Sequence, residues 1–419
     1  MTSYSYVTSQ ARLDELVDEL IVAPAYGLDT EFHRENTYYP HLALLQLSGP
    51  SGIFLVDPFA VDIAVLSRLF KEGGIAIVHA ASQDFEILDR ECGAIPHTLF
   101  DTQIAAGFLG FRMPSLVLLL RDLLGVTLEK EDRLTVWTDR PLTSGQMEYA
   151  AADVASLLDL HQKLIARLEE RDRGLWVEEE CELFRASRIE RRHRNTLWWK
   201  LKGARKLRGL SRGVAQTVAA WRDEQAAACN LPVGRVLSDM AIMAIAGKPP
   251  RDEAELWKAR GVERRRFRHD MVSSLLYSVR EGRSLKHAQL RLPPVVTPDR
   301  SLDAAAKLGA AWLSQLSVDL EIEQRFLATS DDIFALLSGK ADCRLSQGWR
   351  QEIVGRSMQQ IARGELALAC DGSGGLELRE CENSFLPRGK DVESAGRVHA
   401  TGDHRGRWSR ADKKASGFD

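Results

Sequence analysis

Ala25-Tyr-Gly-Leu-Asp-Thr-Glu-Phe32 is a short, largely apolar run with two carboxylates set inside it. Its length and apolar content predict a buried strand, entered from a helix-like segment at residues 10–21. Side chains on a strand alternate between faces, so Asp29 and Glu31 project from the same one. Two carboxylates side by side in a buried strand are costly unless a cation or a set of hydrogen bonds compensates them. The strand therefore points to a sheet, and the pair to a site on it.

Working outward, residues 42–48 and 53–57 read as two further strands with short polar connections. A helix at 63–70 leads to another apolar strand at 75–79, and helices dominate thereafter. Strands followed by helices predict an α/β domain with a central mixed sheet. Asp84 sits where Ser82-Gln-Asp-Phe-Glu86 opens a helix, either as a cap or as a third member of the acidic group. Tyr149 and Asp153 are four apart in Glu148-Tyr-Ala-Ala-Ala-Asp153 and share a helical face. Taken alone, Tyr149 reads as a packed aromatic.

Four carboxylates of this kind can hold two divalent cations, and a tyrosine can aim a water between them. Hard Mg2+ or Mn2+ suits such oxygen donors, and no histidine or cysteine cluster accompanies them to recruit zinc. The six cysteines (Cys92, Cys181, Cys229, Cys343, Cys370, Cys381) form no Cys-x-x-Cys pair, which argues against a zinc site or a disulfide framework.

The order and spacing resemble the tyrosine-bearing subgroup of the DEDD 3'-to-5' exonucleases, and within it the ribonuclease D family. The resemblance is carried by Leu28-Asp-Thr-Glu-Phe32, Thr37-Tyr-Tyr-Pro40, Leu44-Leu-Gln-Leu47, His79-Ala80, Phe100-Asp-Thr-Gln103 and Glu148-Tyr-Ala-Ala-Ala-Asp153. It implies a ribonuclease H-like fold in which Asp29 bridges two ions. Glu31 and Asp153 would complete the ion that activates water, and Asp84 would support the second. Tyr149 would orient the attacking water, because a phenol with a pKa of about 10 is a poor general base. The implied reaction releases nucleoside 5'-monophosphates from RNA 3' ends, with precursor tRNA and other small structured RNAs as partners. A DNA-preferring exonuclease and a non-catalytic RNA-binding protein are the alternatives.

The whole chain of 419 residues has a formal net charge of -3, but that sum hides an asymmetry. Residues 1–184, the expected exonuclease domain, hold 14 Lys and Arg against 30 Asp and Glu; the remainder holds 42 against 29. The basic charge concentrates at 185–212, expected as a basic linker with RNA-binding candidates Arg191, Arg192, Lys200, Lys202, Arg205 and Lys206. A solvated face is the competing reading of that run. Residues 213–292, with Asn230-Leu-Pro-Val-Gly-Arg-Val-Leu-Ser-Asp239, resemble an HRDC domain, a small helical module. A linker marked by Pro293, Pro294 and Pro298 leads to a second, divergent HRDC-like all-α domain at 299–380. Residues 383–419 lack hydrophobic periodicity and read as a disordered tail. No run approaches the ~20 apolar residues of a membrane helix, and the cytoplasm is the expected location.

Several side chains carry two readings each. His79 is a satisfied histidine at a strand end or a ligand. Tyr38 and Tyr39 are core aromatics or a stacking platform for a terminal base. Gln46 bonds a terminal nucleotide or a backbone group. Trp198 and Trp199, amid the basic run, stack on RNA or pack between domains.

Overall fold

A computed structural model describes residues 3–128, 136–189, 194–292 and 300–381. Arg191, Arg192, the proline-marked linker and the 383–419 tail lie outside the described residues.

Six strands form one mixed sheet: β1 Ser5–Val7, β2 Ala25–His33, β3 His41–Gly49, β4 Gly52–Val56, β5 Ile75–Val78 and β6 Leu99–Asp101, in the order β1-β4-β3-β2-β5-β6. β2, β3 and β4 make an antiparallel meander. β1 adds in parallel to β4, while β5 and β6 add in parallel beyond β2. The α/β reading and the four longer strands match the sequence analysis. β1 and β6 escaped it because three residues are too few to display an alternating pattern. Helix α1 (Gln10–Ile21) buries Leu13, Leu16, Val17 and Leu20 on one helical stripe.

Two helices, Ser144–Ala155 and Leu157–Glu169, cover the face of the meander that carries Asp29. Ala150 and Ala151 pack there with Leu44 and Leu55, and the Ser48 hydroxyl donates to the Val154 carbonyl at 2.9 Å. Close approach requires Gly27: an added Cβ would meet Ser48 Oγ at 2.2 Å and Leu157 at 3.3 Å.

A helical module follows, built on Leu210–Cys229, Asp239–Gly247 and His269–Ser284, with Val214, Val218, Trp221, Ile242 and Leu275 in its core. The run read as a basic linker is ordered where described. Its residues Trp198, Leu201 and Ala204 are buried in this module's core, so apolar side chains interleaved with the cations make it part of the module.

The next helices, among them Asp303–Asp319 and Ser330–Leu337, share one continuous core with the sheet region. Phe108 stacks on Phe326 at 5.0 Å and Trp176 on Trp349 at 4.7 Å. The Arg173 guanidinium donates to the carbonyls of Phe108 and Leu320, each at 2.6 Å.

Among the described residues, 360–381 belong to a second unit. Here the expectation of an all-α segment reaching residue 380 is corrected, because Leu366–Cys370 and Leu376–Glu380 pair as an antiparallel hairpin. The turn explains it: Asp371 accepts from the backbone N–H of Ser373 (2.7 Å) and Gly375 (3.0 Å), while Gly372 and Gly374 take positive φ of 87° and 102°. Among the described residues, no helix is long and apolar enough to cross a membrane.

Candidate active site

Strand alternation places Asp29 and Glu31 on one face of β2, and the covering helix Ser144–Ala155 brings Asp153 to them. Ligand oxygens of Asp29, Glu31 and Asp153 all lie within 4.8 Å of one another. Asp84 stands outside that trio as the first residue of the helix Asp84–Cys92, where it accepts a short hydrogen bond from the Thr30 hydroxyl. The preceding residue, Gln83, is the N-cap and makes no side-chain cap bond, so Asp84 does not serve as the cap. Tyr149 lies one helical turn before Asp153, with its ring 6.1 Å from that of Trp137.

These acids repel one another in a poorly solvated place. Burial first, then the charges of Asp84, Asp153 and Glu31, raises the Asp29 carboxyl well above its ordinary range. Burial, Asp153 and Asp84 push Glu31 up to about 8. Asp84 is also raised, mainly by burial, with the Thr30 hydroxyl opposing. Among the described residues, no cation is one of the groups that act on the Asp29, Glu31 and Asp84 carboxyls. Clustered carboxylates that raise one another's pKa, open to a cleft of about 130 Å³ lined by Leu28, Asp29, His79, Leu116, Asp153 and Leu157, fit hard divalent cations.

The helix bearing Tyr149 and Asp153 is fixed at its start. Thr143 and Gln146 form a capping box, with Thr143 Oγ1 accepting from the Gln146 N–H at 3.2 Å and Gln146 Oε1 accepting from the Thr143 N–H at 2.8 Å. Just before it, Arg140 donates to both carboxylate oxygens of Asp57 (2.7 and 2.8 Å) and to the Ala43 carbonyl (2.6 Å), tying the loop to β3 and β4. Burial disfavours a charged Asp57, yet the bonds from Arg140 and Tyr6 hold its carboxyl below the usual range. The sequence analysis missed Asp57, Arg140 and Thr30. Arg140 and Asp57 are 83 positions apart and leave no local signal, whereas the hydroxyl between the acids of Asp29-Thr-Glu31 was a visible one.

The side chains with two readings divide as follows. His79 Nδ1 pairs with Thr102 Oγ1 at 2.9 Å, and burial lowers its basicity, as a satisfied neutral histidine requires. Tyr38 packs against the helical module and donates to Asp223 at 2.8 Å; the Tyr39 N–H donates to Asn230 at 3.1 Å. These tyrosines thus bind the β2–β3 connection to the module. Trp198 is buried, and the indoles of Trp198 and Trp199 both donate to the Arg291 carbonyl, at 3.2 and 2.7 Å. Lys200, Lys202, Arg205 and Lys206 are exposed. Gln46 is fully buried on β3.

Comparison with known proteins gives consistent findings. A family model described as 3'-5' exonuclease matches residues 4–169, and one described as HRDC domain matches residues 211–279. The chain is 34 % identical over 377 residues to a ribonuclease D of Nitrobacter hamburgensis, covering 87 % of this chain and 97 % of that one. It is 32 % identical over 382 residues to a ribonuclease D of Granulibacter bethesdensis, covering 88 % and 95 %. Among solved structures, Escherichia coli RNase D, described as an exoribonuclease involved in structured RNA processing, superposes with a TM-score of 0.77 at 28 % identity, covering 86 % of this chain and 99 % of that one.

Proposed function

The chain belongs to the ribonuclease D family of 3'-to-5' exoribonucleases, and on that premise we propose that Asp29, Glu31, Asp84, Asp153 and Tyr149 carry the hydrolysis. The observation that supports this reading most is the trio Asp29, Glu31 and Asp153, whose ligand oxygens fall within 4.8 Å. The four carboxylates would hold two divalent cations, Mg2+ or Mn2+. Such ions supply a nucleophile at neutral pH and neutralise charge on the phosphate and leaving oxygen.

The protein's own groups do the rest. Asp29 has ligand oxygens within 4.8 Å of those of Glu31 and Asp153 and also feels the charge of Asp84, so it would be the carboxylate suited to touch both cations. Tyr149, one turn from Asp153, orients the attacking water with its hydroxyl. The proposed product is one nucleoside 5'-monophosphate released at a time from the 3' end.

Substrates are 3' ends of RNA, with precursor tRNA and other small structured RNAs the class proposed. Exposed Lys200, Lys202, Arg205 and Lys206 provide a phosphate-binding surface on a chain whose sheet region is acidic. The helices at 300–359 are proposed as a second, divergent HRDC-like module. Incubating the purified chain with a 3'-extended tRNA, with and without Mg2+ or Mn2+, and reading product length and end chemistry tests this assignment. A matched DNA strand degraded faster than the RNA would overturn the RNA preference.

A further inference from the structure

Gln46 lies at the middle of β3 with 0 % of its surface exposed, and neither its amide nitrogen nor its amide oxygen has a hydrogen-bond partner. Buried primary amides are nearly always paired, because an unpaired one has given up its water bonds for nothing. The register sets Gln46 directly opposite Asp29 on β2 and opposite Leu55 on β4. Residues so opposed share a face of the sheet, with Cβ atoms about 5 Å apart. On the same face Leu44 stands opposite Glu31 and Ser48 opposite Gly27, and the Ser48 hydroxyl is already spent on Val154. The unspent amide therefore lies beneath the helix Ser144–Ala155, on the sheet face that carries Asp29 and Glu31.

We propose that Gln46 is a positioning residue for the metal-holding carboxylates. Its amide N–H donates to Asp29 when that carboxylate holds a cation, and so fixes the direction from which Asp29 reaches the ion. The proposal rests on the two-cation reading of the acidic group. A ligating carboxylate has more lone pairs than its ions use, and an outer hydrogen bond to the spare one sets its orientation. A neutral amide suits the task, since it donates without adding a positive charge that competes with the cations. An apolar residue in its place would leave the spare lone pair facing Leu55 and the covering helix.

The test is calorimetric titration of the full chain with Mn2+ alone, in the absence of RNA, for the parent, Gln46→Leu, Gln46→Met and Asp29→Asn. The Leu and Met variants are expected to melt at or above the parent temperature, because an unpaired amide is removed from the core. Their Mn2+ affinity is expected to fall about 10- to 100-fold. Hydrolysis should weaken at limiting Mn2+ and recover partly at saturation, with KM for RNA unchanged. Mn2+ affinity within about twofold of the parent in either folded variant overturns the proposal, as does failure of both to fold. If Asp29→Asn loses Mn2+ while the Gln46 variants keep it, only the positioning role falls. If Asp29→Asn binds Mn2+ like the parent, the two-cation reading falls first and takes the Gln46 role with it.

Discussion

Arg350, buried among the helices that follow the helical module, is ion-paired to the buried carboxylate of Glu180 on the helix Gly174–Ile189. Arg344 reaches the same carboxylate at 3.0 Å, and the surrounding core is continuous with that of the sheet region. The late helices are thus part of the structural unit that holds the acidic group. Removing one partner of a buried pair leaves the other uncompensated, so Arg350→Leu is expected to cost about 3–5 kcal/mol. A large drop in melting temperature, partly recovered by adding Glu180→Gln, is the expected result. An unchanged melting temperature would place the late helices outside the cooperative unit.

Tyr149→Phe keeps the ring beside Trp137 and removes the hydroxyl. The expected outcome is a kcat lower by on the order of 10²-fold with RNA affinity nearly unchanged. Steady-state kinetics on a short oligoribonucleotide measures both, and a normal kcat would return Tyr149 to a packing role.

The acidic group should make the metal-free chain sensitive to base. Glu31 is pushed up to about 8 from its ordinary 4.5, so between those values the folded state binds more protons than the unfolded state. Stability from this group is therefore full below about 4.5 and is lost as pH rises through about 8. Thermal melts in a chelator should show a melting temperature that declines from pH ~6 to ~8.5. The stabilisation by added Mg2+ should grow over the same range, since cations bind the deprotonated carboxylates. Glu31→Gln should melt higher than the parent at the alkaline end without metal. A Mg2+ effect independent of pH would contradict the account.

Replacing Lys200, Lys202, Arg205 and Lys206 with Ala should weaken RNA binding and flatten its salt dependence. Each lost phosphate contact lowers the slope of log K against log salt by roughly 0.7 on single strands. Binding measured over a salt series tests this, and an unchanged slope would make the run a solvated face.

The sequence carried the central strands and the acidic group because burial and alternation leave local marks. Asp29 and Glu31 sit two apart, and Tyr149 and Asp153 four apart, so each pair announces its shared face. What escaped was non-local or too short. Arg140 finds Asp57 only once the sheet has formed, and Arg350 finds Glu180 only once the late helices dock. The hairpin was legible in Asp371-Gly-Ser-Gly-Gly375 between alternating runs, but the helical pattern before it drew the reading past it. Trp198 and Trp199 carried two readings because cations flank them, stacking on RNA or packing between domains, and burial decides for packing at Trp198.

The most direct measurement is the rate of nucleoside 5'-monophosphate release from a 3'-labelled RNA by Asp29→Asn beside the parent, in Mg2+ and in chelator, with folding checked by thermal melt. The account expects metal-dependent release by the parent and near-complete loss in a folded Asn variant, because such cations supply several kcal/mol of transition-state stabilisation. A folded Asn variant that retained more than about a tenth of the parent rate, or a parent indifferent to chelator, would contradict it.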